Sequence, residues 1–309
     1  ADAKLVALLN YGNPAYPPFA EERAHPVDDP ADFARYASTI AERFGEQLEL
    51  YEIWNEPNAG LAFWKPREDP AAYAALLSAA VPAVRAADPD AVVALGGLFW
   101  PDLVVNTPGP EFLASLLDLL PDLAGVDSVS IHPYRYPFSV PEAVLDHQSS
   151  LADEICGARA QLDEAGLQST ELWVGELGWH TAPDAFAPGL SPEDQASVLV
   201  RAALLSFAQG ARQFVWYTTR DSGTDPQDQE QMFGMVGYDP DPLDGDQAER
   251  KPAFAAFKVL SQMLGKHTTI EDLSGDLRLD EETYGYRLSG GGVPIDVYWT
   301  SGEIRVLDL

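Results

Sequence analysis

Tyr51-Glu-Ile-Trp-Asn-Glu-Pro-Asn58 and Glu171-Leu-Trp-Val-Gly-Glu-Leu-Gly-Trp-His180 share one plan. Each is an apolar, strand-like run that delivers a glutamate, Glu56 or Glu176, and then breaks at Pro or Gly. In an α/β barrel the loops beyond the C-terminal strand ends carry the chemistry. Both glutamates therefore fall where reacting groups belong, if the rest of the chain alternates strands and helices.

It does. Strand-like segments at 4–10, 48–54, 91–95, 128–132, 171–175 and 213–217 alternate with helical ones, the pattern of parallel βα units. Asp29 and Pro30 predict a helix start and Gly45 its end, with Phe33, Tyr36, Ala37, Ile40 and Phe44 as the apolar face. Asp69-Pro70 opens a second helix that turns Tyr73, Leu76, Leu77, Ala80 and Val84 inward. Further helices are expected near 111–120, 147–165, from Ser191-Pro-Glu-Asp194 to about 209, and 252–264. After them, 284–288, 295–300 and 304–307 alternate apolar and polar residues between Gly-rich turns, as in an antiparallel meander. The expected organisation is an α/β chain: an incomplete barrel over 1–265 and a β-rich appendage over 266–309.

The 309 residues are 46% apolar, enough for one barrel-sized core. Acidic residues number 49 against 19 basic, a net charge of −30, which disfavours nucleic acid and anionic membranes as partners. Such a surface suits high salt, where screening relieves self-repulsion; an ordinary acidic extracellular protein is the alternative. No run of about 18 uncharged apolar residues reads as a membrane span. Neither does a basic stretch followed by an apolar one mark the N-terminus as an export signal. A mature exported protein would look the same, so localisation stays open, with an extracellular one favoured.

The lone Cys156 excludes an intrachain disulfide and reads as a small buried side chain in a helix. A phosphate-binding glycine loop, a zinc ligand set and a nucleophile elbow are missing, so no cofactor is expected. Asp239, Asp241, Asp244 and Asp246 crowd one Pro-rich loop, but their spacing matches no calcium loop, and no metal is assigned to them. What remains is a carboxylate pair. Glycoside cleavage needs one carboxyl protonated to assist the leaving oxygen and a second ionised to meet an oxocarbenium-like carbon.

With these residues in hand, the chain resembles glycoside hydrolase clan A, the retaining TIM-barrel glycosidases, and most of all the family 39 group. Trp54-Asn-Glu-Pro-Asn58 is similar to the clan's acid/base motif on the fourth barrel strand, and Gly175-Glu-Leu-Gly-Trp179 to its nucleophile region on the seventh. Leu9-Asn-Tyr-Gly-Asn-Pro14, His132-Pro-Tyr134, Val215-Trp-Tyr217, Phe233-Gly234 and Lys251-Pro-Ala253 add to the likeness, which runs along nearly the whole chain.

That resemblance implies Glu56 as acid/base and Glu176 as nucleophile of a retaining β-glycosidase. It implies Asn55 on the sugar 2-hydroxyl, Tyr134 donating to Glu176, and His132 lining the same strand end. Trp216 would floor the sugar site, and Trp64, Trp100 and Trp179 would extend it. In this register the first two βα units, and the family's arginine on the second strand, have no counterpart. A shortened barrel, a gap filled by the meander, and a homo-oligomer that covers the open edges are the three explanations. The rival reading is a carbohydrate-binding pseudo-enzyme.

Overall fold

The structure is a computed structural model that describes residues 5–12, 23–48, 50–103, 106–241, 248–265, 269–277 and 279–302. The expected strand at 304–307 and Asp244 and Asp246 lie outside these residues. The chain divides into two compact units, residues 1–134 with 156–176, and residues 135–155 with 177–309. The segment 266–309 falls within the second.

The first unit is built of parallel βα repeats. Its strands are β1 (Val6–Leu9), β2 (Leu50–Ile53), β3 (Val92–Phe99), β4 (Ser128–His132) and β5 (Glu171–Leu177), each in parallel register with the one before. Helices α1 (Pro30–Phe44), α2 (Pro70–Ala87) and α3 (Gly109–Leu119) connect them, with α4 (Leu151–Glu164) before β5. Asp29 and Asp69 cap α1 and α2 by accepting backbone N–H groups of Ala31 and of Ala71 and Ala72, each in front of a helix-starting proline. By length and apolarity α2 would suit a membrane span. Its apolar side chains are spent within the unit instead: Tyr73, Leu76, Leu77, Ala80, Val81 and Val84 are all buried.

Strands β2 and β4 are buried along their whole length, whereas β1, with one sheet neighbour among the described residues, leaves Val6 and Leu8 exposed. The apolar face of α1 is narrower than its sequence predicts. Phe33, Ala37 and Ala41 are buried, but Tyr36 and Phe44 are exposed at the sides of that stripe. Cys156 is exposed as well, a correction to its expected burial. Helix α4 turns Leu151, Ile155, Ala158 and Leu162 inward at helical spacing, and Cys156 falls outside that stripe.

The second unit holds α5 (Pro192–Ala208), the sixth parallel strand β6 (Ala211–Trp216) and α6 (Pro252–Leu264). Antiparallel β7 (Thr269–Asp272), β8 (Thr283–Ser289) and β9 (Ile295–Thr300) follow, with a short α7 (Ser274–Leu277) after β7. Strand order in the parallel sheet follows sequence order, β1 to β6, and the meander is a separate sheet. Six parallel strands alternating with helices, then a small antiparallel sheet, make the expected incomplete barrel followed by a meander. Strand β7 is too short and polar for its sequence to announce it.

An ion pair ties the meander to its own unit. Arg201 of α5 grips Glu142 through Nε and Nη2 at 2.8 and 2.6 Å, and Trp299 of β9 donates its indole N–H to the same carboxylate at 2.7 Å. Tyr284 and Tyr286 stack against Trp299. Lys251, ahead of α6, bonds Asp221 and Thr181, while Asp221 accepts the Gly234 N–H.

Candidate active site

Both glutamates belong to the first unit, and they reach their positions differently. Beyond β2 the backbone turns sharply. Trp54 and Glu56 have φ of 71° and 43°, in the left-handed region that side chains disfavour. Trp54 is held there by packing, its ring against Phe33, Tyr11 and Trp64 and its indole N–H on the Phe63 carbonyl. Glu56 donates its backbone N–H to the Gly97 carbonyl at 2.9 Å. Asn58, fully buried, pins the following loop by bonding both backbone groups of Phe99 and the Thr107 carbonyl.

Glu176 lies inside β5 on regular backbone. Its fixed points are side chains from the end of β4: the Tyr134 hydroxyl donates to Oε1 at 2.9 Å, and His132 Nδ1 is 3.3 Å from Oε2. The same Nδ1 is 2.8 Å from Glu56 Oε1, so His132 bridges the two carboxylates. One oxygen of each glutamate and a ring nitrogen all lie within 4.8 Å of one another. The His132 side chain is 3% exposed, Glu56 9% and Glu176 23%, which makes Glu176 the open end of the set.

Burial by itself would lower the His132 pKa. The Glu176 charge, the hydrogen bond to Glu56 and the charges of Glu56 and Glu52 outweigh it and raise the value to about 9. At neutral pH the bridge is an imidazolium between two acids. A divalent cation is within reach of the same three donors, but it would have to displace that proton.

A third carboxyl, absent from the sequence-based set, sits beneath. Glu52 occupies a buried position of β2 four residues before Glu56, and its Oε1 accepts the Gly97 N–H at 2.6 Å. Burial raises its pKa, opposed by His132, Ser130 and the Gly97 N–H, while Glu176 adds to the rise. Ser130 Oγ is close enough to this carboxyl to favour its charged form, yet completes no hydrogen bond among the described residues. A charged residue inside an otherwise apolar strand was the available signal for Glu52. The paired glycines Gly96-Gly97 were the signal for its partner.

Glu56, His132, Tyr134 and Glu176 are thus brought together, with buried Asn55 adjacent to Glu56 in the chain. Trp64 is enclosed between Trp54 and Tyr73, and Trp100, at the end of β3, covers Gly109 and donates its backbone N–H to the His132 carbonyl. In the second unit Trp179 and Trp216 stack with ring centres 6.0 Å apart. Trp179 is buried with its indole N–H on the Ser139 carbonyl, whereas the Trp216 indole N–H has no partner among the described residues.

Residues 2–218 match the model of the family described as cellulase, glycosyl hydrolase family 5. No curated protein matches the chain. Among solved structures, a family 39 glycoside hydrolase from the gut symbiont Bacteroides cellulosilyticus WH2 is similar over 97% of this chain and 58% of its own, at 22% identity and a TM-score of 0.72. The glucosidase from Croceicoccus marinus matches over 86% and 54%, at 18% identity and a TM-score of 0.60. For the family 39 enzyme from Xanthomonas axonopodis pv. citri the figures are 93% and 56%, 17% and 0.57. The chain spans a little over half the length of each of these structures, and at such identities the likeness is one of fold.

Proposed function

Because the chain belongs to the cellulase family, glycosyl hydrolase family 5, of the clan A glycosidases, we propose that it is a retaining β-glycoside hydrolase with Glu176 as nucleophile and Glu56 as acid/base. The observation that carries this reading is the His132 bridge, which keeps one oxygen of each carboxylate within 4.8 Å of the other. Retaining enzymes hold their carboxyl groups about 5–5.5 Å apart, and a wider gap of roughly 6.5 Å or more is what an inverting water needs.

Roles follow from surroundings. Glu176 is the more open carboxylate, and the Tyr134 hydroxyl on Oε1 and His132 Nδ1 beside Oε2 hold it in place, as a nucleophile requires. Glu56 is the more enclosed, and its Oε1 lies 2.8 Å from His132 Nδ1, from which it would draw the proton that it passes to the leaving oxygen. In the first step Glu176 bonds to the anomeric carbon as the glycosidic bond breaks and Glu56 gives its proton to the departing oxygen. In the second, Glu56 takes a proton from water, water bonds to the anomeric carbon, and Glu176 leaves. Asn55 is assigned the 2-hydroxyl, and Trp216, by its motif, the sugar face.

The test is hydrolysis of a panel of aryl β-glycosides and β-linked polysaccharides at low and high salt, with Glu176→Gln and Glu56→Gln proteins alongside. Each substitution is expected to lower kcat by at least about a thousandfold on a substrate the unaltered protein cleaves. Glycan binding without turnover by the unaltered protein would reject catalysis in favour of a binding role.

A further inference from the structure

The β3 strand carries a bulge directly under the site. Its register to β4 runs through Leu95↔Val129, shifts, and resumes at Leu98↔Ile131, leaving Gly96 and Gly97 out of the ladder. Buried backbone N–H groups must find acceptors, and here side chains supply both. Gly96 donates to the Tyr73 hydroxyl at 2.9 Å, which in turn donates to the Ile53 carbonyl at 2.8 Å. Gly97 donates to Glu52.

Gly97 is consequently gripped from two sides by one strand and its extension. The Glu52 carboxyl holds its N–H, and its carbonyl receives the backbone N–H of Glu56. Its third side is the histidine: a Cβ on Gly97 would come within 1.9 Å of His132 Nε2. One residue therefore sets both the backbone of Glu56 and the floor under the ring that bridges the two glutamates. A polar group costs free energy when buried, so a carboxyl at this apolar position calls for a task. Burial favours its protonated form, and a neutral carboxyl still accepts the Gly97 N–H through its carbonyl oxygen.

We infer that Glu52 is a positioning residue of the site: by accepting the Gly97 N–H it fixes the left-handed Glu56 backbone and the His132 ring, and so aligns the two carboxylates. The inference rests on the retaining reading for its kinetic consequences, while the hydrogen bond itself is open to a test without substrate. The decisive property is the acceptor oxygen, not the charge.

The experiment compares Glu52→Ala and Glu52→Gln with the unaltered protein in three readouts: kcat and KM separately, the pH profile of kcat, and the ring-nitrogen NMR signals of His132. Glu52→Ala is expected to lower kcat about thirtyfold or more per folded molecule, leave KM within about threefold, move the pH profile and displace the His132 signals. Glu52→Gln, which keeps the acceptor, is expected to restore all three. Should Glu52→Ala fail to fold, Glu52→Asp withdraws the carboxyl by one methylene and is expected to lower kcat about tenfold. Unchanged kcat, pH profile and His132 signals in folded Ala or Asp protein would overturn the inference, as would a folded Gln protein as impaired as Ala. If the unaltered protein turns over nothing, the retaining reading fails, and the His132 signals alone decide on Glu52.

Discussion

At the end of β2, Glu56 stands on a backbone bent through two left-handed residues, packed on a bulge that tolerates only glycine. At the end of β5, Glu176 stands on ordinary strand backbone and takes its orientation from the hydroxyl of Tyr134 and the ring of His132. Both carboxylates meet the His132 ring, but the residue that carries the first is held through its main chain as well, and the second takes its position from side chains. Main-chain fixing leaves no tolerance for added volume, while side-chain fixing can be weakened one hydrogen bond at a time.

The sharpest way to break this comparison is Gly97→Ala. The new methyl meets His132 Nε2 at 1.9 Å, and neither the buried ring nor the strand has room to withdraw. Activity is expected to fall about 100- to 1000-fold and the melting temperature by several degrees, as for an overpacked core. At the other glutamate, a Cβ on Gly175 meets Ser130 Oγ, a small group that can rotate. Gly175→Ala should therefore be milder in the same melting and kinetic assays. Equal losses at the two glycines would dissolve the contrast.

The histidine common to both ends predicts a pH effect of intermediate size. Its folded pKa, about 9, lies above the ordinary histidine value of 6.5. The stabilisation is therefore fully present below pH about 6.5 and is lost as pH rises through about 9, on the order of 3 kcal/mol in all. Melting temperature should decline across that window, and His132→Asn should flatten the decline.

The smallest effect is expected from Tyr134→Phe, which removes the donor to Glu176 and keeps the ring against Phe99. A loss of about tenfold in kcat/KM with little change in melting temperature is anticipated, near the value of one hydrogen bond to a charged group. A loss as large as that of Gly97→Ala would mean that the β5 end, too, depends on more than its side chains.

Much of this site was legible because its motifs are local. Trp54-Asn-Glu-Pro-Asn58 and Gly175-Glu176 combine a strand end with a turn signal, and the caps Asp29, Asp69 and Ser191 mark helix starts without reference to any distant residue. The task of Glu52 was hidden for the opposite reason. Its partner, Gly97, is 45 residues away, and only the bulge brings that N–H to its carboxyl. Asn58 lies inside a legible motif, but its task does not show there, since the groups it binds, at Phe99 and Thr107, belong to another strand end and its loop.

The sequence by itself determined the alternation of six strands with helices, the antiparallel segment after them and the strand ends that present Glu56, His132, Tyr134 and Glu176. Hydrophobic period, caps and turn residues act over a few positions and need no fold to be read. Only the tertiary structure decided that His132 would lie between both carboxylates, that Tyr36, Phe44 and Cys156 would face solvent, and that a buried glutamate would complete the β3 bulge. These are matters of what meets what across sheet neighbours, where an ångström sets the protonation of a ring and the space beside a glycine.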